Sequence, residues 1–196
     1  MGAGDSLAVE AVEVVAVVGN NTIVLGGGCF WCLDATFSQL TGVTKVTCGY
    51  SGGLAKNPTY EQVCTGQTNY AEVIEITFEP AQIGLGKILE IFWATHNPTT
   101  PNQQGADIGS QYRSIVFYKD KSENNIIQHA LKLAQKQWDS PIVTEIKPLT
   151  KFYPAESYHQ KYFESNPDKA YCQIVINPKL SKFRKKFTDY IKSEYK

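Results

Sequence analysis

The chain has 196 residues, of which 42% are hydrophobic and 19% charged, a composition that suits one globular domain with a substantial core. Lysine plus arginine equals aspartate plus glutamate at 19 each, so the formal net charge is zero and we expect neither nucleic acid nor an anionic membrane as a partner. No apolar run approaches the ~20 residues that a membrane helix needs.

The first residues do not match a targeting segment. The stretch from Leu7 to Val18 is apolar, but Glu10 and Glu13 interrupt it and no positive residue precedes it, unlike a secretory signal. We therefore predict an N-terminal extension over residues 1–21 and a single domain over residues 22–196.

The cysteines indicate the redox environment. An odd number of cysteines in a chain of this length is not typical of a disulfide-stabilised protein, so a reducing compartment is favoured. At least one thiol is then free for chemistry. We expect a cytoplasmic protein, although a mature exported form is also compatible with the sequence. The five cysteines are Cys29, Cys32, Cys48, Cys64 and Cys172.

The first half of the chain alternates strand and helix patterns. The helix that follows the first strand has apolar residues at helical spacing and ends at Gly42. The predicted elements are a strand at Thr22–Leu25, a helix beginning at Cys29, strands at Val43–Tyr50 and Val73–Phe78, a helix at Leu85–His96 and a strand at Gln111–Tyr118.

This order predicts an α/β (α+β) fold. Strand, helix, strand, strand, helix, strand is the order of a ferredoxin-like two-layer sandwich, in which helices cover one side of a mixed sheet. A long C-terminal extension would add a helix at Asn125–Trp138, a strand at Val143–Ile146 and a closing helix at Pro178–Tyr195. Its basic cluster, Lys182–Lys186, is interpreted as a solvated helix face. The long polar loop Asn97–Gly109 is expected to have a function, because compact domains rarely keep such loops unused.

The strongest local feature is the glycine run that precedes two cysteines, Gly26–Cys32. Glycines after a strand allow a sharp turn and close approach to a ligand. A cysteine at the following helix N-terminus faces unpaired backbone N–H groups that favour the thiolate, so Cys29 is a candidate nucleophile. On position alone, a small buried residue after a turn is an equally good interpretation.

The spacing of Cys29 and Cys32 admits three functional interpretations. The pair could be a thioredoxin-like redox couple, in which the second thiol resolves a disulfide formed on the first. It could be half of a zinc site, but no second Cys-x-x-Cys exists and the three histidines are scattered, which argues against zinc. It could also be a nucleophile beside an aromatic wall, with Cys32 auxiliary.

Several further side chains could complete a site around Cys29. A thiolate that attacks an oxidised atom needs an acid for the departing oxygen, donors that hold that oxygen and an apolar socket for the rest. Taken singly, the acidic residue among them (Glu72) is more typical of a solvated charge at the end of a strand, and the aromatic residues are more typical of packing residues. Taken together, they can supply the acid (Glu72), the donors (Tyr60 and Tyr112) and the socket (Phe30 and Trp31).

From about Thr22 to Phe187 the sequence resembles the A-type peptide methionine sulfoxide reductases (MsrA). Many ordered motifs carry the resemblance, and together they make chance similarity implausible. They are residues 28–31 (GCFW), 49–53 (GYSGG), 57–60 (NPTY), 63–66 (VCTG), 71–73 (AEV), 96–99 (HNPT), 104–114 (QGADIGSQYRS), 152–156 (FYPAE) and 159–160 (HQ).

The resemblance implies a function and a role for each site residue. The substrate would be the S-epimer of methionine sulfoxide, free or in oxidised proteins, and Cys29 would attack its sulfur and become a sulfenic acid. Glu72 would protonate the oxygen that Tyr60 and Tyr112 hold, and Asp107 would help to organise the site. Phe30 and Trp31 would enclose the ε-methyl group.

No metal or organic cofactor is implied, and thioredoxin would be the external reductant of a protein that we expect to be a monomer. Two residues are candidates for resolving the sulfenic acid. Cys172 matches a C-terminal position that often does so in the family, and the family match favours it. Cys32 replaces the usual glycine, and residues three apart on a helix meet the Cα separation of roughly 4.4–6.8 Å that a disulfide needs. A general thiol-disulfide oxidoreductase using Cys29 and Cys32 is the alternative function.

Overall fold

A computed structural model describes residues 21–196, and the extension predicted for residues 1–21 lies outside it except for Asn21. The predicted strands and helices are present in the described part, but the strand predicted at Gln111–Tyr118 begins only at Ile115, because Ser110–Tyr112 forms a 3-10 turn. The strands are β1 (Asn21–Gly26), β2 (Val43–Ser51), β3 (Ala71–Phe78), β4 (Gln103–Gln104), β5 (Asp107–Ile108), β6 (Ile115–Tyr118), β7 (Glu145–Pro148) and β8 (Phe152–Pro154). The helices are α1 (Phe30–Phe37), α2 (Tyr60–Cys64), α3 (Leu85–Thr95), α4 (Lys121–Gln135), α5 (Tyr162–Ser165) and α6 (Asn177–Lys186).

Six of the strands form one mixed sheet in the order β7-β6-β1-β3-β2-β8. The inner four, β6-β1-β3-β2, are antiparallel neighbours, and this arrangement confirms the ferredoxin-like prediction. The C-terminal extension adds one strand to each edge, because β7 pairs parallel to β6 and β8 pairs antiparallel to β2. The strands β4 and β5 form a separate small hairpin within the long polar loop.

The register of the sheet sets the position of the site. Glu72 on β3 pairs with Tyr50 on β2, and Ile74, two residues later, pairs with Leu25 at the end of β1. The start of β3 therefore lies beside the glycine turn that follows β1. An added Cβ at Gly26 would come within 2.9 Å of the Glu72 carbonyl oxygen, so only glycine fits there without a shift.

The helix α1 is almost entirely buried, which explains its apolar sequence. Seven of its eight residues are buried, and Trp31 is the partly exposed one. The sheet covers one side, while α5, α6 and a π-helical stretch at Cys172–Ile176 pack against the other. The C-terminal extension thus covers the helix that carries the two cysteines. In residues 21–196 no helix is long and apolar enough to cross a membrane.

The predicted closing helix Pro178–Tyr195 is wrong in its extent. The helix α6 ends at Lys186 and is followed by two short 3-10 turns, because Ile191 pairs with Leu40 in an isolated β-bridge that a continuous helix could not form. The Thr188 hydroxyl donates to the Arg184 carbonyl oxygen at 2.8 Å and satisfies the last turn. The short elements α2 and β8, and the hairpin of β4 and β5, were not predicted from the pattern.

Candidate active site

The glycine turn places Cys29 at the start of α1, as the sequence predicts. Gly28 has φ of +98°, and a Cβ there would come within 2.6 Å of the Gln104 side chain, so the turn requires glycine. Cys29 is the N-cap residue, and its carbonyl oxygen accepts from the Cys32 N–H at 3.1 Å. Cys29 is buried, with 8% of its surface exposed.

Glu72 faces the same helix terminus from β3. The Phe30 N–H donates to Glu72 Oε2 at 3.1 Å, so the carboxyl group occupies the position of a helix capping partner. Burial raises the pKa of Glu72 to about 8, and the nearby charges of Asp107 and Cys32 add to this rise against the lowering effect of the Phe30 hydrogen bond. The carboxyl group therefore carries a proton near neutral pH, as a proton donor must.

The acidity of Cys29 differs from the sequence-based expectation. The helix terminus was expected to favour the thiolate, and the Trp31 backbone does lower the pKa, but burial raises it more. A hydrogen bond with Cys32 and the negative charge of Glu72 also raise the pKa of Cys29. Since protonation of Glu72 removes that charge, the acidities of the two groups are linked.

Cys32 is the more acidic thiol of the pair. Its pKa is lowered to about 7, chiefly by the hydrogen bond with Cys29 and then, against the effect of burial, by Lys179 and Tyr171. Lys179 Nζ donates to Cys32 Sγ at 3.6 Å, and the Tyr171 hydroxyl lies 3.8 Å from the same sulfur. The structure therefore brings Cys29 and Cys32 together and places a cation beside the second thiol.

Cys172 lies on the π-helical stretch that packs against α1, and its side chain is fully buried. Burial raises its pKa, which disfavours the thiolate that disulfide formation requires. Of the two candidate resolving thiols, Cys32 has the contact with Cys29 and the lowered pKa. The geometry thus favours Cys32 as the resolving thiol, whereas the family match favours Cys172.

The two tyrosines reach the same pocket from different elements. Tyr60 begins α2, and its N–H donates to Glu156 Oε1 at 2.9 Å. Tyr112 ends the 3-10 turn Ser110–Tyr112. The pKa of each phenol is raised by burial first and then, among other groups, by the charge of Glu72, so both hydroxyls stay protonated and able to donate.

Asp107 is on β5, in the long loop that the sequence singled out, and it accepts from the Tyr171 hydroxyl at 2.9 Å. Because Tyr171 also lies against Cys32, Asp107 is connected to the second thiol through this tyrosine. Its negative charge contributes to the raised pKa of Glu72. The loop Asn97–Gly109 therefore supplies a charged group to the site.

An aromatic wall forms around Phe30 and Trp31, the two residues that lie between the cysteines in sequence. Trp31 stacks on Tyr162 with ring centroids 3.7 Å apart, and the edge of Tyr171 approaches it at 5.8 Å. Phe30 is buried, with its ring 5.0 Å from His159. The Trp31 indole N–H donates to His159 Nδ1 at 3.1 Å, which fixes the orientation of the ring.

Sequence reasoning did not assign roles to four residues of this pocket. Glu156 accepts from the Tyr50 hydroxyl at 2.8 Å as well as from the Tyr60 N–H, and so connects β2 to α2. Glu156 and His159 do lie in two of the quoted motifs, which was a usable signal. Tyr50 lies in a third such motif, residues 49–53, whereas Tyr171 lies in none of them and its contacts form only in the folded chain. In residues 21–196 no three His, Cys, Asp or Glu side chains are grouped as metal ligands.

A buried cysteine pair at a helix N-terminus, beside a protonated carboxyl group, defines a thiol oxidoreductase site on a ferredoxin-like fold. The model of the family "Peptide methionine sulfoxide reductase" matches residues 21–191. The chain belongs to this family.

Two individual relatives support membership of this family. A peptide methionine sulfoxide reductase MsrA of Acinetobacter baumannii (strain AYE) is 49% identical over 170 residues, covering 87% of this chain and 98% of the relative. The protein of the same name from Sulfolobus acidocaldarius is 48% identical over 165 residues, covering 84% of this chain and 94% of that protein. Both relatives are matched over almost their whole length.

Solved structures support the same fold. The crystal structure of reduced Mxr1 from Saccharomyces cerevisiae superposes with a TM-score of 0.72 at 32% identity, covering 78% of this chain and 89% of Mxr1. Mxr1 in complex with Trx2 superposes with a TM-score of 0.51 at 22% identity, covering 73% of this chain and 84% of Mxr1. At 22% identity, the match to this complex supports the fold alone.

Proposed function

We propose that this chain reduces methionine S-sulfoxide, free or in oxidised proteins, to methionine, and that residues 22–196 form the catalytic domain. The observation that carries the proposal is the position of Glu72, a buried carboxyl group with a pKa of about 8, beside the Cys29 thiol at the N-terminus of α1. A nucleophilic sulfur and a proton donor on one pocket wall are what sulfoxide reduction requires. Membership of the family agrees with this chemistry.

In the chemical step, Cys29 Sγ attacks the sulfoxide sulfur and Glu72 gives its proton to the oxygen. The S–O bond of the substrate breaks, the protonated oxygen is transferred to Cys29 Sγ, and the bond between the two sulfurs breaks with its electron pair on the substrate sulfur. Methionine therefore leaves with two more electrons than the sulfoxide had, and Cys29 becomes a sulfenic acid. The proton of the Cys29 thiol is returned to Glu72 in the net reaction, so atoms and charge balance. Tyr60 and Tyr112 donate to the oxygen, whose negative charge grows until the proton arrives.

The aromatic wall orients the substrate. Phe30 and Trp31 form the socket for the ε-methyl group, and the hydrogen bond from Trp31 to His159 holds the indole in place. Because the chiral sulfur must present its oxygen to Glu72 and its methyl to the aromatic wall, one epimer fits. Asp107 acts on the pocket through Tyr171 and through its effect on Glu72.

Recycling begins at Cys32. Its thiolate attacks the Cys29 sulfenic acid, water leaves, and a disulfide joins the two residues. The lowered pKa of about 7 makes the Cys32 thiolate abundant at neutral pH, and Lys179 stabilises it. Thioredoxin is the proposed reductant of this disulfide, and the relative Mxr1, 32% identical to this chain in its reduced form, has been crystallised in complex with Trx2. Cys172 is the second candidate for the resolving thiol.

A single-turnover assay tests the proposal. Wild-type protein mixed with methionine S-sulfoxide without reductant should form about one methionine per chain, and the R-epimer is the matched control. Equal reaction of the two epimers would argue against the aromatic socket, and no methionine from either would overturn the proposed function.

A general disulfide carrier is the second candidate, because Cys29 and Cys32 are in contact. In such a carrier the first thiol is accessible and has a lowered pKa, whereas Cys29 is buried and its pKa is raised. Insulin reduction at a rate comparable with sulfoxide reduction would favour the carrier.

A further inference from the structure

One buried carboxyl group of α1 has no part in the proposed chemistry. Asp34 follows Trp31 by three residues, on the same face of the helix, and only 4% of its surface is exposed. Among residues 21–196, no lysine, arginine or histidine nitrogen lies within 4.0 Å of its carboxylate. A buried charge without a cationic partner is costly, so the hydrogen bonds that hold it indicate what Asp34 does.

Two donors hold the Asp34 carboxylate. The Ser38 hydroxyl, at the end of the same helix, donates to Oδ1 at 2.9 Å, and the Lys161 backbone N–H donates to Oδ2 at 3.0 Å. Burial raises the pKa of Asp34 to about 6, and these two hydrogen bonds oppose the rise, so the carboxylate is mostly ionised at neutral pH and accepts from both donors. The bond from Lys161 spans 127 residues of sequence and joins α1 to the segment that enters α5.

Lys161 is the N-cap residue of α5 and has a backbone conformation that needs support. Its φ of +51° is in the left-handed region, which residues other than glycine rarely adopt. Its carbonyl oxygen accepts from the Ser165 N–H at 3.1 Å, and its N–H is held by Asp34. Because α5 has only four residues, it depends on such contacts for its stability. The bond to Asp34 therefore fixes the direction in which α5 begins.

The first residue of α5 belongs to the aromatic wall. The Tyr162 ring stacks on the Trp31 indole, with centroids 3.7 Å apart and planes 7° apart, while His159 accepts from the indole N–H. The stack on one face and the hydrogen bond at the edge together determine the orientation of the indole. A continuous set of contacts thus leads from Asp34 through the Lys161 N–H and Tyr162 to Trp31.

The turn before Lys161 is held independently of Asp34. The Gln160 side-chain amide is hydrogen-bonded to the N–H and the carbonyl oxygen of Cys48, and to the carbonyl oxygen of Ala155. Loss of the Asp34 contact would therefore not detach the whole segment. Its effect should be confined to the start of α5, where Tyr162 lies.

We propose that Asp34 is a positioning residue for the ε-methyl socket. By holding the Lys161 N–H it seats Tyr162 on Trp31, and it thereby keeps the socket large enough for a methyl group on the sulfoxide sulfur but too small for a longer alkyl group. Asp34 acts through these residues and not on the reacting atoms. This inference rests on the proposed function, since it concerns which sulfoxides the same site accepts.

The first test measures selectivity between methionine S-sulfoxide and ethionine S-sulfoxide, which carries an ethyl group in place of the methyl. Dithiothreitol-driven turnover gives kcat and KM for wild type, for Asp34→Asn and for two controls. Asp34→Asn keeps the size of the side chain but replaces one acceptor oxygen by a donor. The control Ser38→Ala removes the other hydrogen bond of Asp34 and keeps the one to Lys161, and Glu164→Gln neutralises an acid on α5.

Wild type should prefer the methyl substrate by at least about tenfold in kcat/KM, because one methylene in an apolar pocket changes discrimination roughly 10–200-fold. Asp34→Asn should lose most of this preference. Its KM for methionine S-sulfoxide should rise, while its single-turnover rate at saturation should stay within roughly twofold of wild type, because the nucleophile and the proton donor are unchanged. Both controls should keep the methyl preference.

The second test observes Trp31 directly and does not depend on turnover. The chain has three tryptophans, so protein labelled with 5-fluorotryptophan gives three fluorine NMR resonances, and Trp31→Phe assigns one of them. Asp34→Asn and Tyr162→Leu should each shift or broaden the Trp31 resonance and leave those of Trp93 and Trp138 in place. If all three resonances of Asp34→Asn move to unfolded positions, Tyr162→Leu decides, and a lost methyl preference in that variant supports the proposal.

Equal use of the two sulfoxides by wild type, or a folded Asp34→Asn that keeps the methyl preference, would overturn the proposal. So would a Tyr162→Leu variant that keeps the preference. A preference lost equally in Ser38→Ala would also overturn it, because the effect would then be a general loosening of α1. Absence of methionine formation by wild type would instead count against the proposed function, and the Trp31 resonance would still show whether Asp34 holds the aromatic wall.

Discussion

The Phe30 N–H donates to the carboxylate oxygen of Glu72 across 42 residues of sequence. This hydrogen bond joins the first turn of α1 to the start of β3 and fixes the distance between the nucleophile next to Phe30 and the acid. The carboxyl group is buried by the same packing, and that burial raises its pKa to about 8. One structural relationship therefore determines both the position and the protonation of the proposed proton donor.

Replacement of Glu72 by glutamine should slow the chemical step. The amide oxygen of the glutamine can still accept from the Phe30 N–H, so the turn is kept, but the amide cannot donate an acidic proton. We expect the single-turnover rate of methionine formation to fall roughly 10²–10⁴-fold, with partial recovery in Glu72→Asp. A wild-type rate in Glu72→Gln would remove Glu72 from the mechanism.

The same carboxyl group should make stability depend on pH. Its folded pKa of about 8 lies above the ordinary value of 4.5, so between these values the folded state binds more protons than the unfolded state. The free energy of unfolding should therefore fall as pH rises from about 5 to 8, by at most about 1.4 kcal/mol per unit of pKa displacement. Denaturant unfolding at both pH values should show a smaller change in Glu72→Gln than in wild type. An identical change in both proteins would mean that Glu72 is already ionised.

Replacement of Cys29 by serine should abolish turnover, because serine cannot form the sulfenic acid. Thioredoxin-dependent reduction of methionine S-sulfoxide is the measurement, and Cys64→Ser is the matched control because Cys64 is exposed. We expect the control to retain turnover. Sustained turnover by Cys29→Ser would show that another residue is the nucleophile.

Peptide mapping should identify the resolving thiol. After one turnover without reductant, wild type and Cys172→Ser should contain a Cys29–Cys32 disulfide, since Cys32 contacts Cys29 and has the lowered pKa. In Cys32→Ser, Cys29 should accumulate as a sulfenic acid that dimedone labels. A Cys29–Cys172 disulfide in wild type would instead support the family match, and it would require the buried Cys172 to move.

The two tyrosines should contribute to the chemical step separately. Tyr60→Phe and Tyr112→Phe each remove one donor to the sulfoxide oxygen and keep the ring, so each single-turnover rate should fall roughly tenfold or more. The double variant should be slower than either. Tyr158→Phe is the control, because Tyr158 is exposed. Unchanged rates in both single variants would leave the oxygen without its proposed donors.

Much of this molecule could be predicted from local patterns. Alternation and helical periodicity depend on neighbouring residues, and they were enough to indicate the ferredoxin-like order of elements and the position of Cys29 before α1. The end of α6 could not be predicted in this way, because the helix ends at Lys186 and the following turn brings Ile191 into a β-bridge with Leu40. That pairing depends on contacts far apart in sequence.

The sequence by itself determined the fold class, the family motifs and the residues available for chemistry. The tertiary structure decided how those residues behave. Burial raises the pKa values of Cys29 and Glu72, and Lys179, 147 residues after Cys32, donates to the Cys32 sulfur. Acidity depends on the surrounding dielectric and on charges within a few ångströms, and folding alone sets both. For the same reason, the preference for Cys32 over Cys172 depends on the folded chain.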